Sequence, residues 1–413
     1  MSQNWPYPGL PSGLNGEPDI NSGWVGRVLT GRALPTYPSS PSMDCSISWK
    51  IHVMRRLLND AMRLAGNHSE WGAPVVMTGV RQGESAARDQ RIAERKEHGD
   101  GIWASEEGEL RLSPIFSFDT DSVWEVLGYA NAGILNSFSD FAQVIEFYTD
   151  AGGGCVVVTS GAAQRSGPPC GARSGCWACC RSGKSDRSAE QLVASNESKY
   201  GRLKPLNRLR TWLVNIQYDW SMRHFIGRTI SHDGFIEAGA DSFSPETLRK
   251  LLIYTLTAER LSGVPIISPA QLILVDAKWS ASAIAPPFFA IKTYFDVMDR
   301  GMWEEAPVVP FAPPSPAPKL GRIPVGEDWY QVTGFHSMNG MRDAMMELHH
   351  ESCGVTLKTL KNGALVIDYE DGPRLDVDMD GAADFLTFLA DDYIRDYCHH
   401  EYSDWTEGFR IYQ

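Results

Sequence analysis

No apolar run in this chain approaches the ~20 residues that a membrane-spanning helix needs, so no transmembrane segment is expected. The N-terminus, Met1-Ser2-Gln3-Asn4-Trp5-Pro6, has no basic stretch leading into an apolar core. A secretory leader is therefore not expected, and the reading is cytoplasmic. Positive charge is also short: 38 Lys and Arg against 51 Asp and Glu leave a net charge of −13, so the molecule as a whole does not announce nucleic-acid binding. No internal repeat is evident. With 413 residues, 43% hydrophobic and 22% charged, the chain is an ordinary globular one, long enough for two domains or for one large and one small.

Cysteine is the residue used unevenly. Of 8 cysteines, five fall between Cys155 and Cys180. Their arrangement is Cys155-x14-Cys170-x5-Cys176-Trp177-x-Cys179, ending in a Cys-x-x-Cys pair. Two thiolates two residues apart close on one metal without strain, because the turn between them points both sulfurs the same way. Gly152, Gly153, Gly154, Gly161, Gly167, Gly171 and Gly175 suit a loop wrapping an inorganic centre. In a reducing compartment such thiols are ligands rather than disulfides. Spacing alone leaves zinc and iron–sulfur both open. Cys180 is a spare thiol or substitute ligand, and Cys179 is preferred because adjacent residues rarely ligate one cluster. A second zinc site from His349, His350 and Cys353 with Cys398, His399 and His400 is the lesser reading beside polar helix ends.

The expected fold class is α/β. Residues 1–45 are rich in Pro, Gly and Ser and read as loop. Trp49–Leu64 has helical apolar spacing, Ala73–Thr78 reads as a short buried strand, and Ser85–Lys96, Asp121–Leu127 and Phe138–Tyr148 read as helices. After the cysteines the chain reads as mainly helical, over Ala189–Val193, Pro205–Asn215, Ser244–Leu261 and Phe288–Arg300. Pro307, Pro310, Pro313, Pro314, Pro316 and Pro318 mark a stiff linker. The expected division is an α/β domain at 1–150, a cysteine-rich loop with a helical region at 151–305, a Pro-rich linker at 306–324 and a small α+β unit at 325–413. In that last unit Asn362-Gly363 signals a hairpin between 355–360 and 364–369, followed by a helix over Asp384–Tyr397.

Two basic groups stand out. Arg81 and Arg88 follow the strand that ends near Gly79, and strand ends line ligand crevices in open α/β sheets. A guanidinium suits a phosphate or sulfate. The bland alternative is that Arg81 pairs with Glu84 or Glu94 on the surface, with Glu84 and Ser85 capping the helix. From Arg165 to Arg228 cations outnumber acids, and Lys199, Arg202, Lys204, Arg208 and Arg210 are interleaved with Trp212, Tyr218, Trp220 and Phe225. That stripe suits a phosphate backbone, or is a solvated helical face with core aromatics.

Three motifs together resemble the phosphoadenosine-phosphosulfate reductase superfamily, and within it the DNA phosphorothioation branch of DndC-type sulfurtransferases. They are Gly79-Val80-Arg81-x-x-Glu84-Ser85-x-x-Arg88, Pro114-Ile115-x-x-Phe118-x-x-x-x-Val123-Trp124, and Cys170-Gly171-x-Arg173-x-Gly175-Cys176-Trp177-x-Cys179. Leu272–Trp279 resembles the family's closing helix, and the likeness covers about residues 20–280. It implies a partial adenine-nucleotide alpha-hydrolase-like domain. It also implies a 4Fe-4S cluster on Cys155, Cys170, Cys176 and Cys179, and nucleotide or anion binding by Lys50, Arg81 and Arg88.

The departures are equally specific. The family's S-G-G-K-D-S phosphate loop has no counterpart, and Gly31-Arg32-Ala33-Leu34-Pro35 resembles a segment downstream of it. Ser182-Gly183-Lys184-Ser185 follows the cysteines without a preceding strand and is not that loop. Met43-Asp44-Cys45-Ser46 stands where the family often has R-W-C-T, so Cys45 is either a sulfur-handling residue or an inert thiol. The resemblance thus implies the cluster-bearing part of an ATP-dependent sulfur-transfer system acting on DNA. A partner chain or an upstream segment would supply the phosphate loop, and a cysteine desulfurase the sulfur. The alternatives are an inactive cluster-bearing binding module and, more weakly, a sulfate-assimilation reductase.

Overall fold

Short local signals set the first elements. In the computed structural model the described residues are 20–37, 75–84, 86–105, 108–151, 176–180, 186–231, 235–324 and 375–397. To these are added the strands at 357–359 and 365–368 and the single positions Cys45, Met54 and Arg63. Strand β1 (Val75–Met77) runs parallel to β3 (Leu110–Leu112), with Val75 opposite Leu110. Between them lie helix α1 (Ala86–Glu94) and β2 (Trp103–Ala104), and β2 joins β3 antiparallel. A parallel pair needs such a crossover connection. The chain is thus mixed α/β, as its motif order suggests. One expectation changes: β1 is not buried. It is the edge of the sheet order β1-β3-β2, and Val75 and Met77 are 36% and 69% exposed. Burial on both faces needs a layer above and below, and among the described residues β1 lacks one.

Helix α2 (Thr120–Asn131) starts where the Asp119 carboxylate accepts from Ser122 N, and α3 (Ala142–Asp150) follows. Beyond the cysteines come α4 (Arg187–Ser195), α5 (Glu197–Tyr200) and α6 (Leu203–Asn215). The next segment departs from the mainly helical expectation. Residues 223–243 form a hairpin of two nine-residue strands, β4 (Arg223–Ser231) and β5 (Phe235–Phe243). Its signal is Asp233-Gly234 between β-branched and aromatic residues, a pattern masked in the sequence by the basic stripe running into it.

The main core is helical. Helix α7 (Pro245–Ser262) has Ser244 as its cap, proline in its first turn and Gly263 closing it at φ 65°. Helix α8 (Pro269–Ala281) opens with a full capping box between Ser268 and Gln271. Helix α9 (Phe289–Met298) is held at its start by Asp276, which accepts from Phe288, Ala290 and Ile291 N at 2.8, 2.9 and 3.3 Å. Leu248, Leu251, Leu252 and Leu256 of α7 pack with Trp279 of α8 and with the π-helical segment Trp24–Leu29. Trp279 is fully buried, and its Nε1 donates to Leu29 O at 2.7 Å. Its burial contributes roughly 4–6 kcal/mol as an upper estimate.

The proline-rich stretch is not a free linker between units. Residues 301–322 have no regular structure, yet Ala306 is 3% exposed and the stretch is strapped along α6. Asn215 Nδ2 donates to Val309 O at 2.8 Å, Ala312 N to Asn215 O at 2.8 Å, and Arg208 Nε to Ala306 O at 2.7 Å. Proline has no N–H to donate, so carbonyls carry most of this attachment.

The tail likewise joins the body. Strand β6 (Ile323–Pro324) pairs with β5, and a hairpin of β7 (Leu357–Thr359) and β8 (Leu365–Asp368) pairs through β8 with β4. The sheet order is β6-β5-β4-β8-β7. Helices α10 (Met379–Asp384) and α11 (Ala390–Tyr397), joined by a π-helical segment Phe385–Leu389, place Leu386, Ala390 and Ile394 in the main core. A lone two-stranded hairpin is marginal in water, whereas the open edge of β4 completes its pairing. Among the described residues no helix is long and apolar enough to cross a membrane.

Candidate functional site

Two clusters carry chemistry. The first lies where β1 ends. Thr78 N donates to Leu112 O at 2.9 Å, Gln82 N donates to Phe116 O at 3.0 Å, and Gly83 turns at φ 77° into α1. Around this turn Gly79, Val80, Arg81, Glu84, Arg88, Arg91, Ile92 and Arg95 enclose a cleft of about 210 Å³. Pockets for drug-sized ligands begin near ~300 Å³, so this one fits an anionic group such as a phosphate or sulfate rather than a whole nucleotide.

Four guanidiniums face one lining carboxylate in this cleft. Arg81 sits half-buried, with Nη1 donating to Thr120 Oγ1 at 3.1 Å and Nε 3.2 Å from Glu84. Glu84 also pairs with Arg88, and Arg95 pairs with the buried Glu97 at 2.6 Å. The pairing of Arg81 with Glu84 is the bland one weighed from the sequence, and it also anchors the guanidinium at the strand end. Arg91 and Arg95 were not singled out in the sequence. Their signal was present: positions 84, 88, 91 and 95 fall on one face of a helix. Positive charge from Arg81 also helps hold Asp119 below the usual carboxylate range, after the hydrogen bonds from Ser122 that dominate.

The second cluster is the cysteine turn. Cys179 N donates to Cys176 O at 2.9 Å, closing a tight turn that leaves Cys176 exposed and Cys179 half-buried. Trp177 meets Trp24 edge-on with ring centroids 5.1 Å apart, and Ala178 and Cys180 lie in the main core. The turn is thus pinned by Trp177, Ala178 and Cys180 while Cys176 and Cys179 stay accessible. Cys180 is 7% exposed, and burial pushes its thiol up to about 12. Cys179 is the more accessible thiol of the adjacent pair and so the better placed to be a ligand. The accessible pair fits a thiolate-bound centre. Cys155 and Cys170 lie outside the described residues, and among the described ones no group of three metal-ligating side chains occurs. Cys45 is half-buried, with Lys50 outside the described residues, as are the tail histidines 349, 350, 399 and 400.

Neither a family model, a curated protein nor a solved structure matches this chain.

The basic stripe is distributed differently from a continuous binding face. Lys199 pairs with Glu146 at 2.6 Å, Lys204 pairs with Glu197, and Arg208 pairs with Glu305. Arg210 is fully buried on the inner face of α6, because the helix period turns it toward the core beside Leu209 and Leu213. Only Arg202 of this group is exposed without an ion-pair partner among the described residues. With Asp150 also 3.9 Å from Lys199, a phosphate backbone would have to displace four carboxylates to engage Lys199, Lys204 and Arg208.

Proposed function

We propose that this chain is the anion-binding, cluster-bearing component of an ATP-dependent sulfur-transfer system whose acceptor is the DNA backbone. The observation that carries the reading is the convergence of Arg81, Arg88, Arg91 and Arg95 at the carboxyl end of β1. That is where open α/β sheets bind ligands. In this reading the cleft grips a phosphate or sulfate group, with Arg81 as its fixed donor and Arg88 released from Glu84 when the anion enters. Cys176 and Cys179, with Cys155 and Cys170, hold a 4Fe-4S centre, which supplies redox-active, sulfur-rich chemistry when bound. ATP handling then needs a phosphate loop from a partner. A cysteine desulfurase is the proposed sulfur source, and Cys45 a proposed sulfur-handling thiol.

A second reading has support of its own. The carboxylates already paired with Lys199, Lys204 and Arg208 favour a module that does not hold DNA unaided, and so a scaffold that acts through its partners.

Calorimetric titration of the full chain with inorganic sulfate, phosphate and AMP tests the cleft. Binding is expected for at least one of them, and Arg81→Ala should weaken it about tenfold or more, since a hydrogen bond to a charged group contributes ~1.5–3 kcal/mol. Equal affinity in the parent and Arg81→Ala, or no binding of any of the three, overturns the assignment. Iron content after anaerobic purification tests the cluster. Colourless protein with stoichiometric zinc would overturn that part.

A further inference from the structure

We propose that Glu97 is the positioning residue that sets Arg95 as a second fixed donor of the anion cleft, beside Arg81. This deepens the reading above and rests on it for the binding of an anion there.

Arg95 lies just past the end of α1 and lines the cleft. Its Nε donates to Glu97 Oε1 at 2.6 Å, while Nη1 and Nη2 have no hydrogen-bond or ion-pair partner among the described residues. Arg111 of β3 shows the other arrangement. Its Nε and Nη2 both donate to Glu109 Oε2, at 3.2 and 2.6 Å, so the pair spends two nitrogens on structure. Arg81 is held as Arg95 is, with Nε 3.2 Å from Glu84, and Thr120 adds a second hold on its Nη1. A guanidinium held through Nε keeps a terminal fork that suits a phosphate or sulfate.

Glu97 reaches this position against two local penalties. Its side chain is 4% exposed, and Oε2 is buried with no hydrogen-bond partner among the described residues. A buried carboxylate is unfavourable unless its remaining lone pairs are also satisfied. The backbone that delivers it is strained as well. Helix α1 closes with Glu97 N donating to Ile92 O and Lys96 N to Ala93 O, both at 3.1 Å. This closure puts Lys96 in the left-handed region at φ 53°, where glycine is the usual residue. It brings residue 97 back against Ile92. On the far side the His98 ring lies 5.9 Å from that of Trp103 in β2, tying down the chain that follows. A left-handed lysine and a half-paired buried carboxylate at adjacent positions share one effect, which is to fix Arg95. Backbone strain of this kind clusters at functional sites.

The possible roles of Glu97 predict opposite signs. A carboxylate that merely sits near the cleft repels an anion, so its removal would tighten binding. One that positions Arg95 weakens binding when removed. The full chain is titrated calorimetrically with inorganic sulfate, inorganic phosphate and AMP. For each anion that the parent binds, Glu97→Gln should weaken affinity roughly three- to tenfold, the cost of ordering one long side chain on binding. Arg95→Ala should weaken it at least as much, and adding Glu97→Gln to Arg95→Ala should weaken it no further. Glu109→Gln, in the pair that spends two nitrogens, should bind like the parent. Thermal unfolding of each variant identifies any loss of fold. If Glu97→Gln does not fold, Arg95→Lys decides. Lysine is a single point donor that cannot hold Glu97 and reach an anion at once, so this variant should bind nearly as weakly as Arg95→Ala. Parent-like or tighter binding by Glu97→Gln, parent-like binding by Arg95→Ala or Arg95→Lys, further weakening in the double variant, or an equal loss in Glu109→Gln overturns the inference and leaves the cleft reading standing. No binding of any of the three anions by the parent overturns both.

Discussion

Replacing Trp177 with alanine should loosen the cysteine turn more than the position of this half-buried side chain on the surface suggests. Full truncation of a core tryptophan costs ~3–5 kcal/mol. Trp177 is half-buried and packs against the core on one side, through Trp24 at 5.1 Å and an interplanar angle of 67°. About half of the full cost, roughly 2 kcal/mol, is therefore expected, of which ~0.5–1.5 kcal/mol belongs to the edge-to-face ring pair. Ala178 and Cys180 remain as the other anchors, so the turn should detach locally before the protein unfolds as a whole. Urea unfolding should show the lowered midpoint. Metal retention, followed as iron or cobalt lost to a chelator over time, should fall by a larger factor, because the pair Cys176 and Cys179 loses its fixed geometry. Trp177→Phe keeps a ring on Trp24 and should recover most of both. If Trp177→Ala unfolds and releases metal like the parent chain, the turn is not held by this contact and the pinning argument is wrong.

Cys180→Ala should leave metal content unchanged and lower stability by about 1 kcal/mol or less, whereas Cys179→Ser should lose the metal; the reverse outcome would exchange their roles. Stability should fall as pH rises from about 4.5 to about 7 through Glu259, which burial raises from 4.5 to about 7 against the pull of the Ile266 and Ile267 N–H groups. Asp276 is raised likewise by burial, from 3.8 to about 6. Between those values the folded state keeps a proton that the unfolded chain has released, so each group can cost up to about 1.4 kcal/mol per pH unit. The penalty is absent below the ordinary values and complete above the folded ones. Unfolding measured at pH 5 and pH 8 should show a larger drop for the parent than for Glu259→Gln, and equal drops would remove Glu259 as a cause.

The residues that speak locally were legible in the sequence. Cap and turn residues such as Ser244, Pro245, Gly263, Ser268 and Gln271 act within one helical turn, so the helices they bound fall close to where apolar spacing places them. The Asn362-Gly363 hairpin and the strand before Gly79 are local in the same sense. So is the Cys-x-x-Cys turn, whose closing hydrogen bond spans three residues. Tertiary structure decided what depends on partners far along the chain. Exposure of β1 depends on which layers cover it, and the edge of β4 decides that the tail hairpin joins the body rather than standing alone. The carbonyls along 306–312 become a strap only because Arg208 and Asn215 of α6 meet them. The same distance effect separates the cations. Arg208 and Arg210 are two residues apart, yet packing of α6 against α7 sends one to Glu305 at the surface and the other into the core. Charge composition is a property of the chain, but the dielectric around each charge is a property of the packed molecule.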